Sequence, residues 1–119
     1  MKPHPLIVTM VLAMASASSL AQSVDEVEAG RRLYMQNGCY SCHGTVGQGG
    51  ERSSAPRIAP DPYPFEAFKM MVRQPREAMP RYDPKFVSDE QLQVIHRYLG
   101  SIPKGPAAKD IPQLRDVSR

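Results

Sequence analysis

The chain predicts an all-α fold, and three observations predict it. Apolar residues recur at helical spacing in three separate segments. No segment alternates apolar and polar residues as a half-buried strand does. Helix-opening pairs stand where they are needed, Ser23 with Glu26 and Ser88 with Gln91. The 12 prolines and 8 glycines assign much of the remaining chain to loop.

From the amino end, Met1 to His4 is a short basic start, Leu6 to Ala15 is apolar apart from Thr9, and small residues lead to Ser19–Leu20–Ala21. That order describes a secretory signal peptide, residues 1–21. Its apolar run falls well short of the roughly 20 residues that span a bilayer. The mature chain is thus expected in the periplasm of a Gram-negative cell, and it does not span a membrane after cleavage. It divides into a domain at 22–103 and an extended tail at 104–119. Without Lys2, 14 basic side chains face 12 acidic ones, with no dense Lys/Arg stripe, which excludes a nucleic-acid binder.

The first helix is predicted over 24–37, with a stripe of Val27, Gly30, Leu33 and Tyr34 and a stop at Asn37–Gly38. Glycine inside a helix costs about 1 kcal/mol relative to alanine. Gly30 is read as a place where another helix approaches closely, the alternative being a merely tolerated glycine. Residues 44–64 are rich in glycine and proline and read as an irregular loop. Phe65 to Arg73 reads as a short helix with Phe68, Met71 and Val72 inward. Pro75 and Pro80 bracket a further loop. The last helix opens at Ser88, carries Leu92, Ile95, Tyr98, Leu99 and Ile102, and ends at Pro103.

Cys39–Tyr40–Ser41–Cys42–His43 is the most specific feature. Cys-x-x-Cys-His is the haem c attachment pattern. Two cysteines three apart on one helical turn present both sulfurs to one side, where they can add to the two vinyl groups of a haem. His43 then sets its imidazole under the iron. A thioredoxin-like redox pair would need a βαβ context, and a zinc site would need further ligands that the two cysteines cannot supply. A domain this small has a marginal core. A covalently held haem would complete it, so the chain without haem is expected to be largely unfolded.

With an N-terminal helix, Cys-x-x-Cys-His, a Gly/Pro loop, a Met-containing loop and a C-terminal helix, the chain resembles the class I cytochromes c over about residues 24–102. The resemblance implies a small cytochrome c fold, its N- and C-terminal helices crossing around one covalently bound haem. It implies thioether bonds at Cys39 and Cys42 and His43 as an iron ligand. It matches Gly30 and Tyr98 to the family's helix-crossing pair, and Pro56 to the proline whose carbonyl orients the histidine ring.

Of the four methionines in the mature chain, Met35 stands on the first helix close to Cys39, and Met70 and Met71 fall in the short helix. Met79 precedes Pro80, which biases its backbone toward an extended form. It also fits the family's habit of placing the second axial ligand, often as Met-Pro, before the last helix. His43 and Met79 are thus the expected iron ligands. His96 is read as a solvent-facing histidine, and Tyr82 and Arg57 as residues that could meet haem propionates.

Two axial ligands leave no open position, which predicts an electron carrier and not an enzyme. The alternative is a haem enzyme or ligand sensor with an open sixth position. A thiol–disulfide exchanger is a third class. Expected partners are redox proteins: an exported dehydrogenase of flavin, quinone or molybdenum type as donor, and a downstream cytochrome or terminal oxidase as acceptor. The form is similar to cytochrome subunits of flavocytochromes that oxidise phenolic alkyl groups. Arg73, Arg76, Arg81 and Lys85 outnumber Glu77 and Asp83 around Met79, forming a rim that would steer an acidic partner. The tail would lie along the dehydrogenase.

Overall fold

The computed structural model describes residues 24–50 and 55–114. The signal peptide, Ser23 and residues 115–119 of the tail lie outside the described residues. Among the described residues there are four α-helices: α1 over 24–36, α2 at Tyr40–His43, α3 at Phe65–Arg73 and α4 at Asp89–Ser101. Among the described residues there is no strand.

The end of α1 follows from Asn37–Gly38. Gly38 adopts φ 73°, a left-handed conformation that costs a residue without Cβ nothing. Its N–H donates to the Met35 carbonyl, and the Cys39 N–H reaches back to Tyr34 at 3.2 Å. These are the two bonds of a Schellman stop. α1 therefore delivers the chain directly into the Cys39–His43 turn.

At α4 the Ser88 hydroxyl accepts from the Gln91 N–H at 3.2 Å, and the Gln91 side chain accepts from the Ser88 N–H at 2.9 Å. Both halves of the expected capping box are formed. Ile102 lies just past the helix end, in extended backbone before Pro103.

α1 crosses α4 at Gly30. A Cβ there would collide with the Val94 carbonyl oxygen and stand 2.7 Å from Tyr98 Cβ. The Tyr34 and Tyr98 rings meet beside this crossing, with centroids 5.6 Å apart. Glu26 crosses to Arg97 at 3.1 Å. The core gathers Tyr34, Val72, Val87, Leu92, Ile95, Tyr98 and Leu99 with Ala59 from the long loop.

Two expectations for α3 and the tail are corrected. Val72 is buried and Phe68 packs on the core, but Met71 is 38% and Met70 58% exposed. In a nine-residue helix packed on α4 along one side, Met71 falls on the shoulder of the apolar stripe. The tail is not simply extended: short 3₁₀ turns form at Ala108–Asp110 and Pro112–Leu114.

Candidate functional site

The Cys39–His43 turn is fixed from below by two tyrosines. Tyr34 Oη donates to the Gly44 carbonyl at 2.7 Å, and Tyr98 Oη donates to the Thr45 carbonyl at 3.1 Å. Burial pushes the Tyr34 phenol well above its ordinary range, so it remains a donor. Both anchors come from the α1–α4 crossing. The packing of those helices thereby sets where the turn sits.

Behind the turn, the loop folds back on itself. The Gly49 N–H donates to the His43 carbonyl at 2.8 Å, and the Gly47 carbonyl accepts from Ile58 and Ala59. Gly47 is buried at φ 71°, with Ala59 and Leu99 pressed against the place a Cβ would occupy. This fold-back brings Pro56 over the imidazole, its carbonyl oxygen 2.9 Å from His43 Nδ1. A carbonyl only accepts, so the contact calls for the proton on Nδ1 and leaves the lone pair on Nε2.

An apolar cleft opens on the far side of Cys39. Cys39 and Met79 line it together, although 40 positions apart in sequence. Its walls are Phe68 and Val72 from α3, Leu92 and Ile95 from α4, and Val87 just before α4. The two polar residues at its edge are turned to backbone: Asn37 Nδ2 donates to Leu33 O at 2.8 Å, and Tyr82 Oη donates to Asn37 O at 2.8 Å. Among the described residues no buried side-chain nitrogen or oxygen lacks a hydrogen bond. Burial pushes the Cys39 thiol and the Tyr82 phenol above their ordinary values. Cys42 is exposed and His43 half-buried on the turn, and neither lines the cleft.

Other sequence candidates fall elsewhere. His96 is not a free solvent-facing side chain. Its ring lies against Phe65 and Phe68, at centroid distances of 5.6 and 5.3 Å, and its Nε2 meets the Tyr63 carbonyl at 2.8 Å. Its neighbour Ile95, and not His96, faces the cleft. Arg73 does not belong to a free basic rim. Its side chain is 13% exposed, and the guanidinium pairs with Asp89 at 2.6 Å. That pairing holds the Asp89 carboxyl below its ordinary value. Tyr82 binds backbone at the cleft edge, a position that its closeness to Met79 in sequence hints at but does not establish.

A family model described as cytochrome c oxidase, cbb3-type, subunit III, matches residues 25–99. The chain belongs to this family of c-type cytochromes. The match spans everything from α1 to α4 and includes Cys39–His43 and Met79. Comparison with curated proteins and with solved structures gives no match. As a c-type cytochrome the chain carries covalently bound haem c with its iron, and it serves electron transfer with redox partners. Its donor chemistry fits that group: two thiols on one turn, an imidazole with its Nδ1 already engaged, and a thioether in an apolar cleft. Among the described residues no helix is long and apolar enough to cross a membrane.

Proposed function

We propose that the protein is an exported, periplasmic class I cytochrome c that carries single electrons. Cys39 and Cys42 would hold the haem through thioether bonds, and His43 and Met79 would ligate its iron. When bound, the haem supplies a one-electron ferric/ferrous couple. The observation that carries this reading is that Met79 and Cys39 share one apolar cleft, while on the turn that bears Cys39 the His43 imidazole is pinned through Nδ1.

The residues divide the work. The Pro56 carbonyl fixes the His43 tautomer and makes the imidazole a stronger donor. The Met79 thioether favours the ferrous state and raises the potential, and the water-excluding walls formed by Phe68, Val72, Val87, Leu92 and Ile95 act in the same direction. With His43 and Met79 both bound to the iron there would be no place for a substrate, and the chain would pass electrons by docking to other proteins. Its donor is an exported dehydrogenase of flavin, quinone or molybdenum type. Its acceptor is a downstream cytochrome or a terminal oxidase, a class to which the description of the matching family points. The tail at 104–119 lies along the dehydrogenase.

The test is an absorption spectrum of the mature protein in both oxidation states, followed by carbon monoxide titration of the reduced form. The wild type should show the far-red sulfur–iron band when oxidised and resist carbon monoxide at neutral pH. Met79→Ala should lose the band, lower the potential and bind carbon monoxide readily. A wild type that takes carbon monoxide as readily as Met79→Ala would instead indicate an open-site haem enzyme or sensor.

A further inference from the structure

The segment bearing Met79 is tied at its neck. The Tyr82 N–H donates to the Val72 carbonyl at 3.2 Å, which closes residues 73–81 into a loop at the end of α3. Arg73 fastens this neck from one side. Its Nη1 donates to the Tyr82 carbonyl at 2.9 Å, and its Nη2 donates to Asp89 Oδ1 at 2.6 Å. The same Tyr82 ties the neck on the other side, through its hydroxyl, to the Asn37 carbonyl, two residues before Cys39. One planar guanidinium thus joins the end of α3, the returning limb of the Met79 loop and the first turn of α4.

The loop also holds a conformation that it would not choose alone. Glu77, two residues before Met79, sits at φ 58°, a left-handed position that a side chain disfavours. Such a residue persists only where the surroundings determine the backbone. Apart from the Gln74 N–H bond that ends α3, the neck contacts of Arg73 and Tyr82 are the polar ties between this loop and the described remainder of the chain.

We propose that Arg73 is a positioning residue for Met79: through the Tyr82 carbonyl and Asp89 it holds the loop so that the thioether stays in the cleft. This rests on Met79 being the axial ligand. Lysine cannot replace it fully. An ammonium is a point donor on a flexible stem, whereas the guanidinium fork serves a carbonyl and a carboxylate at once in fixed geometry. Arg73 does not line the cleft. Its effect is on how often the thioether leaves.

The experiment uses the haem-loaded full chain. The far-red band, the carbon monoxide association rate of the reduced form and trypsin cleavage at Arg76 and Arg81 are compared in wild type, Arg73→Lys and Arg73→Gln. Arg73→Gln should keep its attached haem, weaken the band, bind carbon monoxide at least about tenfold faster and be cut faster in the loop. Arg73→Lys should fall between the two. If Arg73→Gln lowers the thermal midpoint but leaves both band and carbon monoxide rate at wild-type values, Arg73 is merely structural and the proposal is overturned. Should Arg73→Gln fail to accumulate, Asp89→Ala decides the matter, since it removes the acceptor on one side of the fork: a faster carbon monoxide rate supports the clamp, and an unchanged one overturns it. A wild type without the far-red band would defeat the Met79 assignment itself, an outcome separate from failure of the clamp.

Discussion

At the residue scale, Pro56 shows how a side chain and a backbone group separate in their consequences. What meets His43 Nδ1 is the Pro56 carbonyl, which any residue at that position would retain. What proline adds is a fixed φ that narrows the unfolded ensemble. Pro56→Ala should therefore cost about 0.4–1 kcal/mol of stability while leaving the absorption spectrum and the midpoint potential close to wild type. A denaturation curve and a redox titration on the same sample check this, and a large drop in potential would mean that the ring contact depends on proline's rigidity. The motif around these residues is legible because its parts are adjacent: Cys39, Cys42 and His43 declare themselves by spacing alone. Pro56 is legible through family resemblance. Arg73 is not, because its role is set by Asp89, 16 positions away, and by a carbonyl on the returning loop. A residue that reads as one more surface charge in sequence is an anchored strut in the fold.

At the element scale, the helix boundaries most legible in sequence are those whose signals are local. Both halves of the Ser88–Gln91 capping box lie within one turn, and the Asn37–Gly38 stop needs only Gly38's conformational freedom. Met71 is misread from sequence because a short apolar stripe does not say where its edge falls; that depends on how α3 sits on α4. Gly30 is the reverse case, a local oddity explained by a distant partner. Gly30→Ala would place a methyl group against the Val94 carbonyl and Tyr98 Cβ, both in or attached to the α4 backbone and unable to swing away. The helix-propensity gain of about 1 kcal/mol is then outweighed by overpacking of typically about 1–3 kcal/mol or more. The net effect should be a lowered thermal midpoint in the haem-loaded protein. Because Tyr34 and Tyr98 carry the turn's two anchors at this same crossing, the variant should also lose stability at Gly44–Thr45, read as faster amide exchange there. A midpoint equal to or above wild type would show that the helices can part without cost.

At the scale of the whole molecule, the buried protein core is small. The fully packed residues are few, and three of them (Tyr34, Tyr98 and Leu99) do not line the cleft. Cys39, Phe68, Met79 and Tyr82 are only partly buried; they pack on the core with one flank and line the cleft with the other. Ordering the backbone costs roughly 1–2 kcal/mol per residue, and apolar burial returns about 25 cal/mol per Å². A domain with so small a buried core recovers little of that cost from protein contacts alone. A haem beside Cys39 and Met79 would cover the partly buried Cys39, Phe68, Met79 and Tyr82 together, and its thioether links would tie this surface to the Cys39–His43 turn. The chain without haem, made as a Cys39→Ala, Cys42→Ala double variant, should therefore show little helix by circular dichroism and unfold in urea without a cooperative transition. The haem-loaded protein should melt cooperatively. A double variant with native helix content and a sharp urea transition would mean that the α1–α4 crossing is a folding unit in its own right, with the haem bound to a core already complete.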